Sequence, residues 1–333
     1  MKIRVTKIPS WGRGRAATIA LAIILLIVPG ALAQFQARAA RDGQDSESYR
    51  FSVNVDLVVL PVTVRDRQGQ HVPDLHEGDF KVYEDRVPQR IRLFQHEDLP
   101  VIAGLLVDHS GSMRPKIAEV IAGARAFVRS SNAEDRMFVV NFNETVSLGL
   151  PTATGFTANA DELERAIWRA PAAGETALYD AIVTALERFE EHGRDKKVLV
   201  VISDGADNAS AHSLEQVLGM AERSSVVIYA VGLFAPYDDD ANPKVLNRLA
   251  QATGGEAFFP DQPRAVTEIC ERIARDIRNQ YTIGYVSTNT KQEGVHRAVR
   301  VAVQSPGRGK LFVRTRAGYI PARPSTGKRE DAK

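Results

Sequence analysis

Seven consecutive residues, Val101-Ile102-Ala103-Gly104-Leu105-Leu106-Val107, contain no polar side chain. A short unbroken apolar run of this kind fits a strand buried on both faces of a parallel sheet. The run stops on Asp108-His109-Ser110-Gly111-Ser112, and after Met113-Arg114-Pro115 a helical pattern begins. Strand, polar turn and helix in that order mark where open α/β sheets place their ligands, beyond the carboxyl ends of the strands.

The pattern then repeats. Lys116 to Ser131 is expected to be helical, with Ile117, Val120, Ile121, Ala124 and Val128 on one face. Met137-Phe138-Val139-Val140 is the next strand, and Thr145 to Leu148 a shorter one. Helices are expected over 159–170 and 177–190, split by the loop Pro171-Ala172-Ala173-Gly174-Glu175-Thr176. Val198 to Ile202 is a fourth, wholly apolar strand ending at Ser203-Asp204-Gly205. Helix 213–223, strand 226–231, helix 243–253, a short strand 256–259 and helix 264–279 follow. Repeated βα units predict an α/β fold, a doubly wound and mostly parallel sheet over about residues 98–280.

The flanks carry a different period. Phe51, Val53, Val55, Leu57 and Val59 alternate, while Val58, Leu60, Val62 and Val64 hold the opposite phase. That switch implies a bulge or a stretch buried on both faces. Phe80 to Tyr83 and Ile91 to Phe94 read as strands, separated by a turn over 84–88. Beyond the βα region, Tyr281, Ile283 and Tyr285 alternate, as do Val299, Val301 and Val303, and Leu311 and Val313 follow. Either flank alone has too few strands for an independent domain. Segments 51–97 and 281–320 are therefore expected to join into a smaller β-sandwich-like domain into which the α/β domain is inserted. Two separate β appendages would carry the same local patterns.

The first 33 residues have the layout of a secretory signal peptide. Lys2, Arg4, Lys7, Arg13 and Arg15 precede an apolar run from Ala16 to Val28, then Pro29-Gly30 and the small-x-small site Ala31-Leu32-Ala33. The apolar run is short for a spanning helix, so membrane attachment is expected only if this segment is retained as an anchor. Residues 34–50 read as a flexible spacer and 321–333 as a disordered tail. Removing residues 1–33 takes the formal net charge from +2 to about −3. The apparent basicity belongs to the export signal, and composition gives no reason to expect nucleic acid as a partner. Cys270 is the only cysteine of the 333-residue chain, which rules out an internal disulfide. It is expected to be a small buried hydrophobe.

The chemistry gathers at element boundaries. Asp108, Ser110 and Ser112 follow the first strand of the α/β region, Thr176 precedes a helix, and Asp204 follows the fourth strand. In a doubly wound sheet the first and fourth strands are neighbours where the strand order reverses, so their loops converge. All five side chains offer oxygen, which suits a hard divalent ion such as Mg²⁺; Mn²⁺ and Ca²⁺ share the same ligands. Two carboxylates balance the ion's charge, and hydroxyls add no more, which leaves the ion open to an anionic oxygen from outside.

At these residues the sequence resembles the von Willebrand factor type A domain family. Asp108-His109-Ser110-Gly111-Ser112 matches its D-x-S-x-S motif, Gly174-Glu175-Thr176 its threonine loop and Ser203-Asp204-Gly205 its distal aspartate. The resemblance implies a Rossmann-like fold and a metal-ion-dependent adhesion site. There Asp108, Ser110 and Ser112 would hold Mg²⁺ directly or through water, and Thr176 would bind directly in the ligand-engaged state. A partner's Glu or Asp would complete the coordination. The flanks Val64-Arg65-Asp66-Arg67-Gln68-Gly69 and Asp79-Phe80 resemble bacterial exported proteins related to this family.

Each signal has a plainer competitor. Asp108 and Ser110 could simply cap the following helix. His109 is expected to be an exposed loop histidine, Asp207 and Asn208 ordinary turn residues, and Asp238-Asp239-Asp240 a solvated acidic loop. No G-x-S-x-G elbow and no P-loop lysine motif is present. A Mg²⁺-dependent hydrolase or phosphoryl-transfer enzyme would need a second acid in the first loop and a positioned base. The sequence thus predicts a non-enzymatic, metal-dependent protein-binding module, exported to the periplasm, envelope or exterior. The alternatives are that enzyme and a structural envelope protein stabilised by its metal.

Overall fold

A computed structural model describes residues 57–151, 153–169, 171–190, 196–234, 240–262, 264–289 and 294–321. The signal layout, the spacer, the strand pattern over 51–56, Asp238 and Asp239, and residues 322–333 lie outside them.

In chain order, the N-terminal flank forms β1 (Leu57–Arg65), a turn of 3-10 helix (Glu77–Asp79), β2 (Phe80–Glu84), β3 (Val87–Gln89) and β4 (Ile91–Gln95). The central region then contributes β5 (Val101–Asp108), a 3-10 segment (Gly111–Lys116), α1 (Ile117–Ser130), β6 (Arg136–Phe142) and β7 (Val146–Leu148). It continues with α2 (Ala160–Ile167), α3 (Leu178–Glu190), β8 (Lys196–Ser203), α4 (Leu214–Arg223) and β9 (Val227–Gly232). It ends with α5 (Pro243–Thr253), β10 (Ala257–Phe258) and α6 (Ala265–Arg278). The C-terminal flank supplies β11 (Tyr281–Val286), β12 (Arg297–Val303), β13 (Phe312–Arg314) and β14 (Gly318–Tyr319).

The central sheet runs β10-β9-β8-β5-β6-β7, parallel except for the antiparallel edge strand β7. β5 therefore lies between β8 and β6, in register Val107↔Ile202 and Asp108↔Phe142. Every residue of β5 is buried, and β8 is buried from Lys197 to Ser203. This is the doubly wound arrangement expected from the βα pattern, with the two apolar runs side by side at its centre. The amphipathic α1 buries Ile117, Val120, Ile121, Ala124 and Phe127. It packs on α6 so closely that a Cβ on Gly123 would lie 2.6 Å from Val266 Cγ1 and 3.1 Å from Cys270 Sγ. Cys270 is buried there, and burial pushes its thiol up to about 12.

The flanks interleave. β1 pairs with β11, and β2 with β12, both antiparallel. Two four-stranded sheets result, β13-β1-β11-β4 and β14-β12-β2-β3. Leu60, Val62, Val64, Phe80, Val82, Tyr281, Ile283, Tyr285, Val299 and Val301 belong to one hydrophobic cluster between them. Buried Glu84 is satisfied within this core by the hydroxyls of Tyr285 (2.8 Å), Tyr319 (2.9 Å) and Ser287 (2.6 Å).

Two local expectations change. No bulge interrupts β1. Its inward phase is Leu60, Val62 and Val64, and the opposite phase is exposed at Leu57 and Val59 but covered at Thr63 and Arg65. The register shift falls instead between Gly284 and Tyr285, where β11 meets β4. The turn expected over 84–88 contracts to Asp85-Arg86, both at positive φ (47° and 69°), and the chain re-enters a sheet at Val87. Such a two-residue turn matches strand twist, and Pro88 is tolerated because β3 is an edge strand.

Candidate functional site

The end of β5 delivers Asp108 into the interior rather than to solvent. Its carboxylate is fully buried, with Oδ2 accepting from Ser203 Oγ at 2.6 Å and Oδ1 from the Ser110 backbone amide at 2.8 Å. Ser203 ends β8, so the first bond follows from the β5–β8 pairing. Burial pushes the Asp108 carboxyl up to about 6, against the pull of the Ser110 and Ser203 hydrogen bonds, and the Asp204 charge adds to the rise.

Asp204 follows one residue later and is also fully buried. Oδ1 accepts from the Ala206 amide at 3.1 Å, and Oδ2 accepts from Ser112 Oγ at 2.5 Å. Ser112 in turn lies 3.1 Å from Ser110, hydroxyl to hydroxyl. The turn after Asp204 requires glycine: Gly205 has φ +79°, and a Cβ there would sit 2.6 Å from the Asn242 carbonyl oxygen. Two loops 92 residues apart in sequence are thus joined through side-chain oxygens.

Thr176 reaches the same rim by backbone stitching. Its amide donates to Asn208 Oδ1 (2.8 Å), and its carbonyl accepts from the amides of Asn208 (3.0 Å) and Ala209 (3.1 Å). Two residues earlier, the Gly174 carbonyl accepts from the Gly111 amide at 3.1 Å. Thr176 is buried, at the threshold of α3. The structure therefore brings Asp108, Ser110, Ser112 and Asp204 into one hydrogen-bonded cluster and holds Thr176 against both of their loops.

His109 differs from its expected exposure. It is buried, with Nε2 3.2 Å from Asn141 Oδ1. Its amide donates to Phe142 O (2.7 Å), and its carbonyl accepts from Ala173 N (2.8 Å). The segment after β5 stays laced to the end of β6 instead of projecting outward. Ser110 starts the 3-10 segment without a side-chain capping bond, so the capping alternative finds no support there.

Sequence reasoning passed over four supporting residues. Ser203 orients Asp108, and Asn208 positions the Thr176 loop. Asp207 accepts from the Tyr179 amide (3.0 Å) at the start of α3. Lys116 is buried and donates to the Leu233 carbonyl at 2.7 Å, fastening the segment after the site to the end of β9. Position was the available signal: all four lie within eight residues of a strand end.

The model of the von Willebrand factor type A domain matches residues 104–272. The chain belongs to that family. In fold it is similar to a von Willebrand factor type A protein from Catenulispora acidiphila, at 14% identity and a TM-score of 0.50, over 82% of this chain and 76% of that one. An aerotolerance-related membrane protein from Bacteroides fragilis matches 53% of this chain and 98% of its own, at 15% identity and a TM-score of 0.44. Proximal thread matrix protein 1 of the mussel byssus, in a structure with a zinc-occupied MIDAS motif, matches 60% and 50%, at 12% identity and a TM-score of 0.43. No curated protein sequence matches the chain. Among the described residues, no helix is long and apolar enough to cross a membrane.

Proposed function

We propose that this chain is an exported, divalent-metal-dependent protein-binding module. Asp108, Ser110, Ser112, Thr176 and Asp204 would hold Mg²⁺, and a partner protein would present an Asp or Glu carboxylate to the same site. The observation that carries the reading is the pair of carboxylates, Asp108 and Asp204. Both are fully buried, and neither has an ion pair with a basic side chain among the described residues. Buried charges are ordinarily paired or coordinated to metal, and the surrounding donors are hydroxyl oxygens, the chemistry a hard cation takes. When bound, the ion supplies positive charge and a coordination position for an external oxygen. The chain's own residues fix the geometry: Ser203 and the Ser110 amide orient Asp108, Ser112 couples to Asp204, and Asn208 holds the Thr176 loop in place.

Family membership supports a binding role, since these domains typically mediate protein interaction. The first loop presents hydroxyls where a hydrolytic or phosphoryl-transfer site would need a second acid. Titration calorimetry of the full chain with MgCl₂ is expected to give a saturable one-site isotherm that EDTA abolishes. MnCl₂ and CaCl₂ titrations rank the ions. Absence of heat and of thermal stabilisation with all three would end the metal assignment.

Export rests on the basic start, the apolar run and Ala31-Leu32-Ala33. Intact mass of the protein recovered from the bacterial envelope fraction is expected to correspond to a chain beginning at Gln34. A mass that includes Met1 would favour the retained anchor.

A further inference from the structure

The chain around Thr176 is rigidly held yet displays an exposed indole. Asn141 Nδ2 donates to Ala166 O (2.7 Å), Arg169 Nη1 to Gly149 O (3.0 Å) and Arg114 Nε to Ala172 O (3.0 Å). Ala173 is bonded through its amide to His109 and through its carbonyl to Asn143 Nδ2 (3.1 Å). Within this pinned stretch Trp168 is 59% exposed. Leu148, next to Gly149 on the edge strand β7, is 42% exposed.

The exposed charge near the indole is mostly cationic: Glu164, one helical turn before Trp168, is paired with Arg125, and Glu175 is the exposed acid of the Thr176 loop. Arg165 lies three residues before Trp168 at the end of α2, so the two side chains share a helix face. Arg114, Arg165 and Arg169 are exposed and form no ion pair with a described residue. The acidic Glu144 sits instead against Gly174, where a Cβ would collide with its carboxylate. The Trp168 side of the rim therefore offers exposed apolar surface and three guanidiniums that are in no ion pair with a described residue.

A tryptophan on a pinned backbone and left in water has the backbone part of its ordering cost already met, which favours its use as an aromatic anchor. We propose that Trp168, Leu148 and the three guanidiniums form a docking shelf beside the oxygen cluster. It takes an acidic protein segment with a bulky apolar side chain close to its coordinating carboxylate. The guanidiniums steer the acidic segment, and the indole receives the apolar side chain. This rests on the metal-dependent binding reading above.

The test is selection of a displayed peptide library, four random residues on either side of a fixed Glu, on the full chain in MgCl₂. The expected winners need Mg²⁺ and carry Trp, Phe, Tyr or Leu at a preferred distance from the Glu. Against Trp168→Ala the same peptides are expected to bind about tenfold or more weakly, with Trp168→Phe intermediate and the Mg²⁺ isotherm unchanged. Trp168 is exposed, so folding is not at stake, and the unchanged isotherm confirms it. Mg²⁺-dependent winners with no apolar preference, or with affinity indifferent to Trp168→Ala, would overturn the shelf while leaving the metal site standing. Winners that bind equally in EDTA, or no winners from the library, would overturn it together with the metal-dependent reading.

Discussion

Asp108→Ala is expected to abolish the Mg²⁺ isotherm of the full chain, a loss of at least about a hundredfold in affinity, because one of two carboxylates that balance the ion disappears. The side chain is wholly enclosed, so water cannot take its place without opening the loop. Asp108→Asn sharpens the test. It keeps the shape of the carboxyl, with Oδ1 left to accept from the Ser110 amide and Nδ2 placed to donate to the Ser203 hydroxyl, but removes the charge. The metal-free protein buries two carboxylates that repel each other, and burial holds Asp108 up at about 6 against an ordinary 3.8. A carboxyl raised in the folded state stabilises fully below its unfolded value and loses that contribution as pH rises through the folded value. Metal-free wild type should therefore lose stability between about pH 4 and pH 6.5, by up to about 3 kcal/mol. Asp108→Asn should lose much less over the same range, and at pH 7 should melt higher than metal-free wild type. MgCl₂ should restore wild type by mass action and leave the variant unmoved. Melting curves with MgCl₂ and with EDTA at several pH values check this. A variant that still gained stability from MgCl₂ would remove Asp108 from the site.

What the sequence revealed and what it hid divide along a physical line. The βα alternation was legible because long apolar runs and 3.6-residue stripes are local signals, and β5 and β8 carry the strongest of them. The convergence of Asp108 with Asp204 was legible at one remove, because a doubly wound sheet puts those strand ends side by side. His109 was misread because exposure depends on the path of the chain after β5, and that path is set by hydrogen bonds to Phe142 and Ala173. The β2–β3 hairpin was overlooked because Glu84, Asp85, Arg86 and Pro88 together look like one loop, when only Asp85 and Arg86 turn. Asn208 looked like any turn asparagine, and its role depends on Thr176 lying across from it, 32 residues away in sequence.

The least legible feature is the contact that binds the flanks to the α/β region, and it carries the largest stability effect. Asp276, on the last turn of α6, is fully buried. Its Oδ2 accepts from Arg65 on β1 and from Arg314 on β13 (3.0 Å), and its Oδ1 lies 2.8 Å from His71 Nε2. Glu256, just before β10, joins the same cluster through Arg65 (3.3 Å), Arg314 and Arg272 (3.1 Å). Arg65 and Asp276 stand 211 positions apart, and no local pattern announces their meeting. Removing the one fully buried acid leaves two guanidiniums crowded in a mostly buried interface with only Glu256 to balance them. Breaking a buried pair in this way costs about 3–5 kcal/mol, most of it from the charge left behind. Asp276→Ala should therefore lower the urea midpoint strongly, and the linked unfolding of both regions should become less cooperative. The control separates charge from volume: Arg65→Met and Arg314→Met added to Asp276→Leu replace the cations as well as the acid, and should recover much of the loss. A single Asp276→Ala variant that loses less than about 1 kcal/mol would mean that solvent screens the cluster and that the flanks are held to α6 by their apolar contacts instead.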